Sequence, residues 1–150
     1  MSDTVLSTHV LAITRHTGEI QSNPTNYLTQ SHLRQLESTL RKTVRFYNIL
    51  NLILAIATIA SIFVLIYTPG VNDDLRKGLM IVLIVCYPLF AMYFPWMPVH
   101  LGVVRRVMAS WDNENDGIVY RVHTPESNWA VFCTPGVYIE VDIVCRKQSA

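Results

Sequence analysis

Charge is scarce in this sequence. Only 15% of its 150 residues are Asp, Glu, Lys or Arg, and the 12 basic and 11 acidic side chains leave a net charge of +1. That balance provides no electrostatic footprint for nucleic acid, and no Lys/Arg run is interleaved with aromatics as a binding groove requires. Nucleic acid is therefore excluded as a partner. Cysteine is scarce as well: Cys86, Cys133 and Cys145 are odd in number and lack CxxC spacing, so neither a zinc site nor a disulfide framework is indicated. A reduced, cytosol-facing chain follows most simply, in agreement with the absence of a usable Asn-x-Ser/Thr acceptor, since Asn23-Pro24-Thr25 is blocked by its proline.

Motifs of catalysis are missing too. There is no Gly-x-Ser-x-Gly elbow, no Gly-rich phosphate loop and no Asp-His-His-Cys acyltransferase motif. His9, His16, His32, His100 and His123 are scattered, with no helical metal pair among them. An enzyme, a bound metal and a cofactor are not expected. Residues 1–7 lack a basic start followed by an apolar core, so the first apolar helix is expected to act as the insertion signal.

Hydrophobic runs fill the space that charge leaves. The composition is 51% hydrophobic with a mean hydropathy of +0.28, too apolar for an ordinary soluble domain of this size. Residues 46–67 hold 22 positions without a charge, about 33 Å of helix, which matches a bilayer core. Thirteen of them are Leu, Ile, Val or Phe, contributing about −4 to −8 kcal/mol to insertion. Residues 78–104 are also uncharged but carry Pro88, Pro95 and Pro98. The expectation is one helix over 79–94, kinked near Pro88, followed by an interfacial break at residues 95–98 with Trp96 as the anchor at headgroup depth.

Basic residues orient this hairpin. Arg34, Arg41, Lys42 and Arg45 precede the first helix and Arg105 and Arg106 follow the second, against Arg76 and Lys77 in the loop 68–77. Six against two predicts both termini in the cytosol. Arg41, Lys42, Arg45, Arg105 and Arg106 are read as contacts to anionic headgroups, each worth about 1 kcal/mol. Within the first helix Asn48, Asn51, Ala55 and Thr58 form a small-and-polar stripe, suited to packing on the chain's own second helix ahead of a partner or a pore.

Outside the hairpin the periodicity changes. Residues 8–14 read as a strand, and Leu33, Leu36, Leu40, Val44 and Tyr47 recur at helical steps, starting from Thr29 or Ser31 as cap and running into the first apolar helix. Val103, Val104, Val107, Met108 and Trp111 make a second amphipathic stripe. Three β-rich segments follow, at 118–122, 129–133 and 137–145, the last alternating Val137, Ile139, Val141, Ile143 and Cys145 with its outward residues. The predicted fold is a membrane α+β protein: a transmembrane hairpin (46–104) inserted between the amphipathic helices of one small cytosolic domain (1–45 with 105–150), which carries a sheet of roughly four strands.

This order of strand, amphipathic helix, apolar hairpin, amphipathic helix and strands resembles the golgin-related accessory subunits of protein palmitoyltransferases and the related cysteine-rich hydrophobic-domain proteins. The residues that carry the resemblance are His9-Val10-Leu11-Ala12-Ile13, Leu33-Arg34-Gln35-Leu36-Glu37, Arg105-Arg106-Val107 through Trp111-Asp112-Asn113-Glu114-Asn115, and Val137-Tyr138-Ile139-Glu140-Val141. The family's hydrophobic stretch is typically cysteine-rich; here it holds only Cys86. The resemblance implies a non-catalytic subunit of the endoplasmic reticulum or Golgi membrane that stabilises a larger integral membrane enzyme, with homo-oligomerisation left open. A small regulatory subunit of a lipid phosphatase complex looks similar in its hairpin and basic flanks, without an obvious N-terminal strand. A small oligomeric ion channel, with the 48–58 stripe lining a pore, is the competing class.

Overall fold

The computed structural model describes residues 4–92, 96–112, 117–124 and 136–145. Its elements run β1 (Thr4–Thr14), α1 (Gln30–Tyr67), α2 (Asp73–Met92), α3 (Trp96–Asp112), β2 (Ile118–His123) and β3 (Gly136–Cys145). They form two compact units, one of Met1–Val44 with Pro95–Ala150 and the other Arg45–Phe94.

In the first unit the sheet is antiparallel in the order β1-β3-β2. The period of two in β3 decides its orientation: Val137, Ile139, Val141 and Ile143 are all fully buried, while Tyr138 is exposed. Leu11 and Ile13 of β1 and Tyr120 of β2 join them in the core. Helix α3 packs on β2 and β3 and buries Val104, Val107, Met108 and Trp111, the last meeting Tyr120 edge-on, and the first part of α1 contributes Leu33, Leu36, Leu40 and Val44. The sheet has three strands among the described residues rather than four; the expected strand at 129–133 lies outside them.

Local chemistry sets the helix ends. Thr29 caps α1, its Oγ1 accepting from His32 N at 3.4 Å, and α1 then continues unbroken into the uncharged run as predicted. Helix α2 starts at Asp73, earlier than the expected 79, because Asn72 accepts from Asp74 N at 3.0 Å and Asp73 and Asp74 favour the positive helix end.

The larger correction concerns residues 95–104. The hairpin was expected to reach Val104, yet the second unit ends at Phe94 and α3 already runs from Trp96, with Trp96, His100 and Val104 buried in the first unit. Pro98 does not stop α3. It lies in the first turn, where a backbone N–H has no helical partner to lose.

Candidate hairpin and interfacial site

In the second unit, α1 beyond residue 45 and α2 are both long and apolar enough to cross a membrane, and their apolar windows contain no buried residue. Phe46, Val64 and Ile81 each expose more than 60% of their surface, in a band far beyond the scattered apolar residues of a soluble domain. The loop between the helices closes on itself. Arg76 donates to the Thr68 carbonyl at 2.9 Å and lies 3.3 Å from Asp73, so the one arginine serves the end of α1 and the start of α2.

A polar contact joins the two helices inside the apolar zone. The Tyr87 hydroxyl points at the Asn51 carbonyl oxygen and Oδ1, each at 3.2 Å. Asn51 therefore packs against the chain's own second helix. Thr58 donates to the Leu54 carbonyl at 2.8 Å, and Ser61 does the same to Ala57, so these hydroxyls are satisfied within their own helix. Asn48 is exposed and Ala55 half-buried.

In the first unit, a turn at residues 15–18 ties β1 to both helices. Thr14 accepts from Gly18 N and donates to the Glu19 carbonyl, each at 2.8 Å, and Gln21 N returns to the Ala12 carbonyl. Gly18 adopts a φ of +71°, and a Cβ there would lie 2.9 Å from the Leu40 carbonyl carbon and 3.0 Å from Arg41 N. Only glycine allows that approach. On the other side the Arg15 carbonyl accepts from His100 Nε2 at 3.1 Å, and the His16 ring meets Trp96 edge-on at 5.8 Å.

His100 is fully buried, stacked on Trp96 at 5.7 Å, and its Nδ1 has no hydrogen-bond partner among the described residues. Desolvation holds the imidazole below its ordinary pKa, the Arg15 carbonyl opposes this, and the Arg15 and His16 charges reinforce it. The neutral tautomer with its proton on Nε2 fits this site.

At the opposite end of the unit, His32 stacks on Trp111 at 4.5 Å, and Trp111 Nε1 donates to Gln35 Oε1 at 3.0 Å. Early α1 thus meets late α3, while Leu40 and Trp96 meet the same turn. The two helices are antiparallel.

The basic residues divide accordingly. Arg41 lies 3.0 Å from Glu19 and 2.6 Å from Glu37, an exposed clip between turn and helix. Lys42 and Arg45 are exposed on α1. Arg105 and Arg106 are exposed on α3, nine and ten residues after Trp96, about 13–15 Å along the axis from the start of the helix. Trp96 is buried between His16 and His100, so its ring serves the core of the first unit.

No protein-family model, curated protein or solved structure matches this chain. The site must be read from its own chemistry. Among the described residues, no three His, Cys, Asp or Glu side chains come together to hold a metal ion. A His9–Ser7 contact at 3.2 Å joins residues two apart on one strand face, where neighbours meet by geometry alone. Asp142 accepts from Thr8 at 2.6 Å and lies 3.3 Å from His123, a cross-strand ladder on the outer sheet face.

Three contributors escaped the sequence reading: Tyr87, His100, and Trp96 as a core residue. For two of them a signal was present. Residues 96, 100, 104, 107 or 108, and 111 continue one helical stripe, which the prolines at 95 and 98 disguised.

Proposed function

We propose that this chain is a non-catalytic, membrane-anchored accessory subunit. It crosses the bilayer twice through residues 46–67 and the apolar part of α2, keeps both termini cytosolic, and stabilises a larger integral membrane enzyme through its sheet domain. The observation that supports this most is the unburied apolar surface of the second unit beside a first unit that buries its own core well. Water disfavours such a surface by about 25 cal/mol per Å², and lipid removes that cost.

A protein palmitoyltransferase is the partner class suggested by the resemblance of segment order and motifs, and the endoplasmic reticulum or Golgi is the corresponding compartment. The excess of basic residues beside the hairpin over those in its loop supports the cytosolic placement of the termini. The pairing of Asn51 with Tyr87 favours a subunit over a channel, because the most polar part of the stripe is already engaged within the hairpin.

Affinity purification of the tagged chain in mild detergent tests this reading. The expected outcome is stoichiometric recovery of a larger membrane enzyme whose abundance falls when the chain is removed. Recovery of the chain alone, with conductance in planar bilayers that Asn51→Leu abolishes, would establish the channel instead.

A further inference from the structure

We infer that the outward edge of β1 is a docking site for an extended, uncharged segment of the partner enzyme, which pairs with Thr8 and Val10 as an added strand. This rests on the subunit reading above and names the surface that meets the enzyme. The site lies wholly within the first unit.

Strand β1 is an edge strand, since the sheet order is β1-β3-β2. Its register against β3 is regular from Ser7 to Thr14, so the backbone groups of alternate residues face away from β3. The chain itself shows which ones. Thr14 N donates to the Glu19 carbonyl, Gln21 N donates to the Ala12 carbonyl, and the Ser22 hydroxyl donates to the Val10 carbonyl and accepts from Ala12 N. Residues 19–22 thus begin a further strand line along this edge and then leave it, for Thr25 N turns to the Leu28 carbonyl instead. By the same alternation Thr8 N, Thr8 O and Val10 N point outward beyond Ser22, with no partner among the described residues. A row of unmet backbone donors and acceptors is a template for one kind of ligand, another extended backbone.

What lies beside that row sets the chemistry of the ligand. A groove of about 330 Å³ runs along this part of β1, lined by Val10, Leu11, Ser22, Thr25, Leu28 and Leu33 among others. Its three leucines are buried, whereas Val10 is 57% exposed and Val5 54%. An added strand alternates its side chains between two faces, so one set enters the groove and the other lies beside Val10. Strand β1 carries no charged residue and no proline, the usual guards of an exposed edge. Apolar side chains therefore suit this surface, and charged ones find no counterpart.

A second copy of this chain does not fit. Pairing two β1 strands about a two-fold, with Thr8 and Val10 both bonded, sets residues 4–8 of one copy opposite Ala12 of the other, where Gln21 and Ser22 already lie. A segment that stops or turns away at Val10 extends the line that residues 19–22 began and displaces nothing.

The test uses the full chain in mild detergent and a fluorescent peptide of alternating threonine and valine, long enough to span residues 7–11. Saturable binding is expected, and the same peptide N-methylated on every amide, which lacks backbone donors, should bind about tenfold more weakly. Val10→Pro removes an N–H that has no partner in the free chain, so the sheet keeps its own bonds while binding falls about tenfold. Val122→Pro, the same change at an outward-facing position of β2 on the opposite edge, is expected to leave binding unchanged. Amide exchange of the unaltered chain decides the matter even where a proline variant fails to fold. Thr8 and Val10 should exchange fast in the free chain, unlike Leu11, and slow several-fold with the peptide.

No saturable binding, equal binding of the methylated peptide, or full binding to a folded Val10→Pro chain overturns the inference. So does slow exchange of Thr8 and Val10 in the free chain, which marks a second copy where it varies with protein concentration and a segment of the same chain where it does not. In affinity purification, equal recovery of the enzyme with Val10→Pro overturns the docking edge and leaves the subunit reading standing. Recovery of no enzyme with the unaltered chain overturns the subunit reading, while the peptide and exchange measurements still decide the edge.

Discussion

Gly18 holds the turn where no other residue fits. Its positive φ, and the 2.9 Å that would separate a Cβ from the Leu40 backbone, mean that Gly18→Ala brings both strain and a clash. The expected loss is on the order of 1–3 kcal/mol, read as a lower midpoint in chemical denaturation of the detergent-solubilised chain. A shift within error would show that the turn can move away from α1 at no cost. His100 gives the unit a pH dependence. Because its folded pKa lies below the ordinary 6.5, the unfolded chain takes up a proton that the buried imidazole resists. This contribution is fully present above about pH 6.5 and is lost progressively as the pH falls below it. Denaturation midpoints from pH 7.5 to 5 are expected to decline, and the decline should flatten in His100→Gln. A pH-independent difference between the two proteins would refute the assignment. Neither residue stands out in the sequence, where one is a glycine after a strand and the other one histidine among five.

Elements were more legible than residues. The alternation through Val137, Ile139, Val141 and Ile143 marked the buried sheet face, and the Leu33, Leu36, Leu40, Val44 stripe marked the face of α1, because a strand and a helix each repeat their orientation at a fixed period. Register followed no such rule: β1 pairs with β3 across more than 120 residues, with a bulge between Val5 and Ser7, and nothing local in either strand specifies that partner. The start of α3 was misplaced for a different reason. Prolines are read as breaks, but in a first turn they cost no hydrogen bond. Within the hairpin, the Asn51 contact to α2 depends on the hydroxyl of Tyr87, which the stripe on α1 did not reveal. Tyr87→Phe is expected to lower the thermal stability of the reconstituted chain by about 0.6–1.7 kcal/mol, the range of hydrogen bonds between helices in lipid. An unchanged melting curve would show that apolar packing alone pairs the helices.

For the whole molecule, the decisive measurement is topology. In sealed microsomes and a chain without native cysteines, an impermeant maleimide is expected to label Ser31→Cys at once and Asp74→Cys only after the membrane is disrupted, both positions being exposed in the structure. Labelling of both before disruption would overturn the two-span reading. The sequence by itself determined that two stretches are long and apolar enough to cross a membrane and that the flanking segments alternate as helix and strand, since hydropathy and period are properties of neighbours along a chain. Only the tertiary structure decided that α3 begins at Trp96 and belongs to the sheet domain, that Arg41 pairs with both Glu19 and Glu37, and that the turn near residue 16 packs on α1 at Leu40. Those facts join residues tens of positions apart, and burial and ion pairing depend on what folding brings alongside rather than on what stands next in the chain.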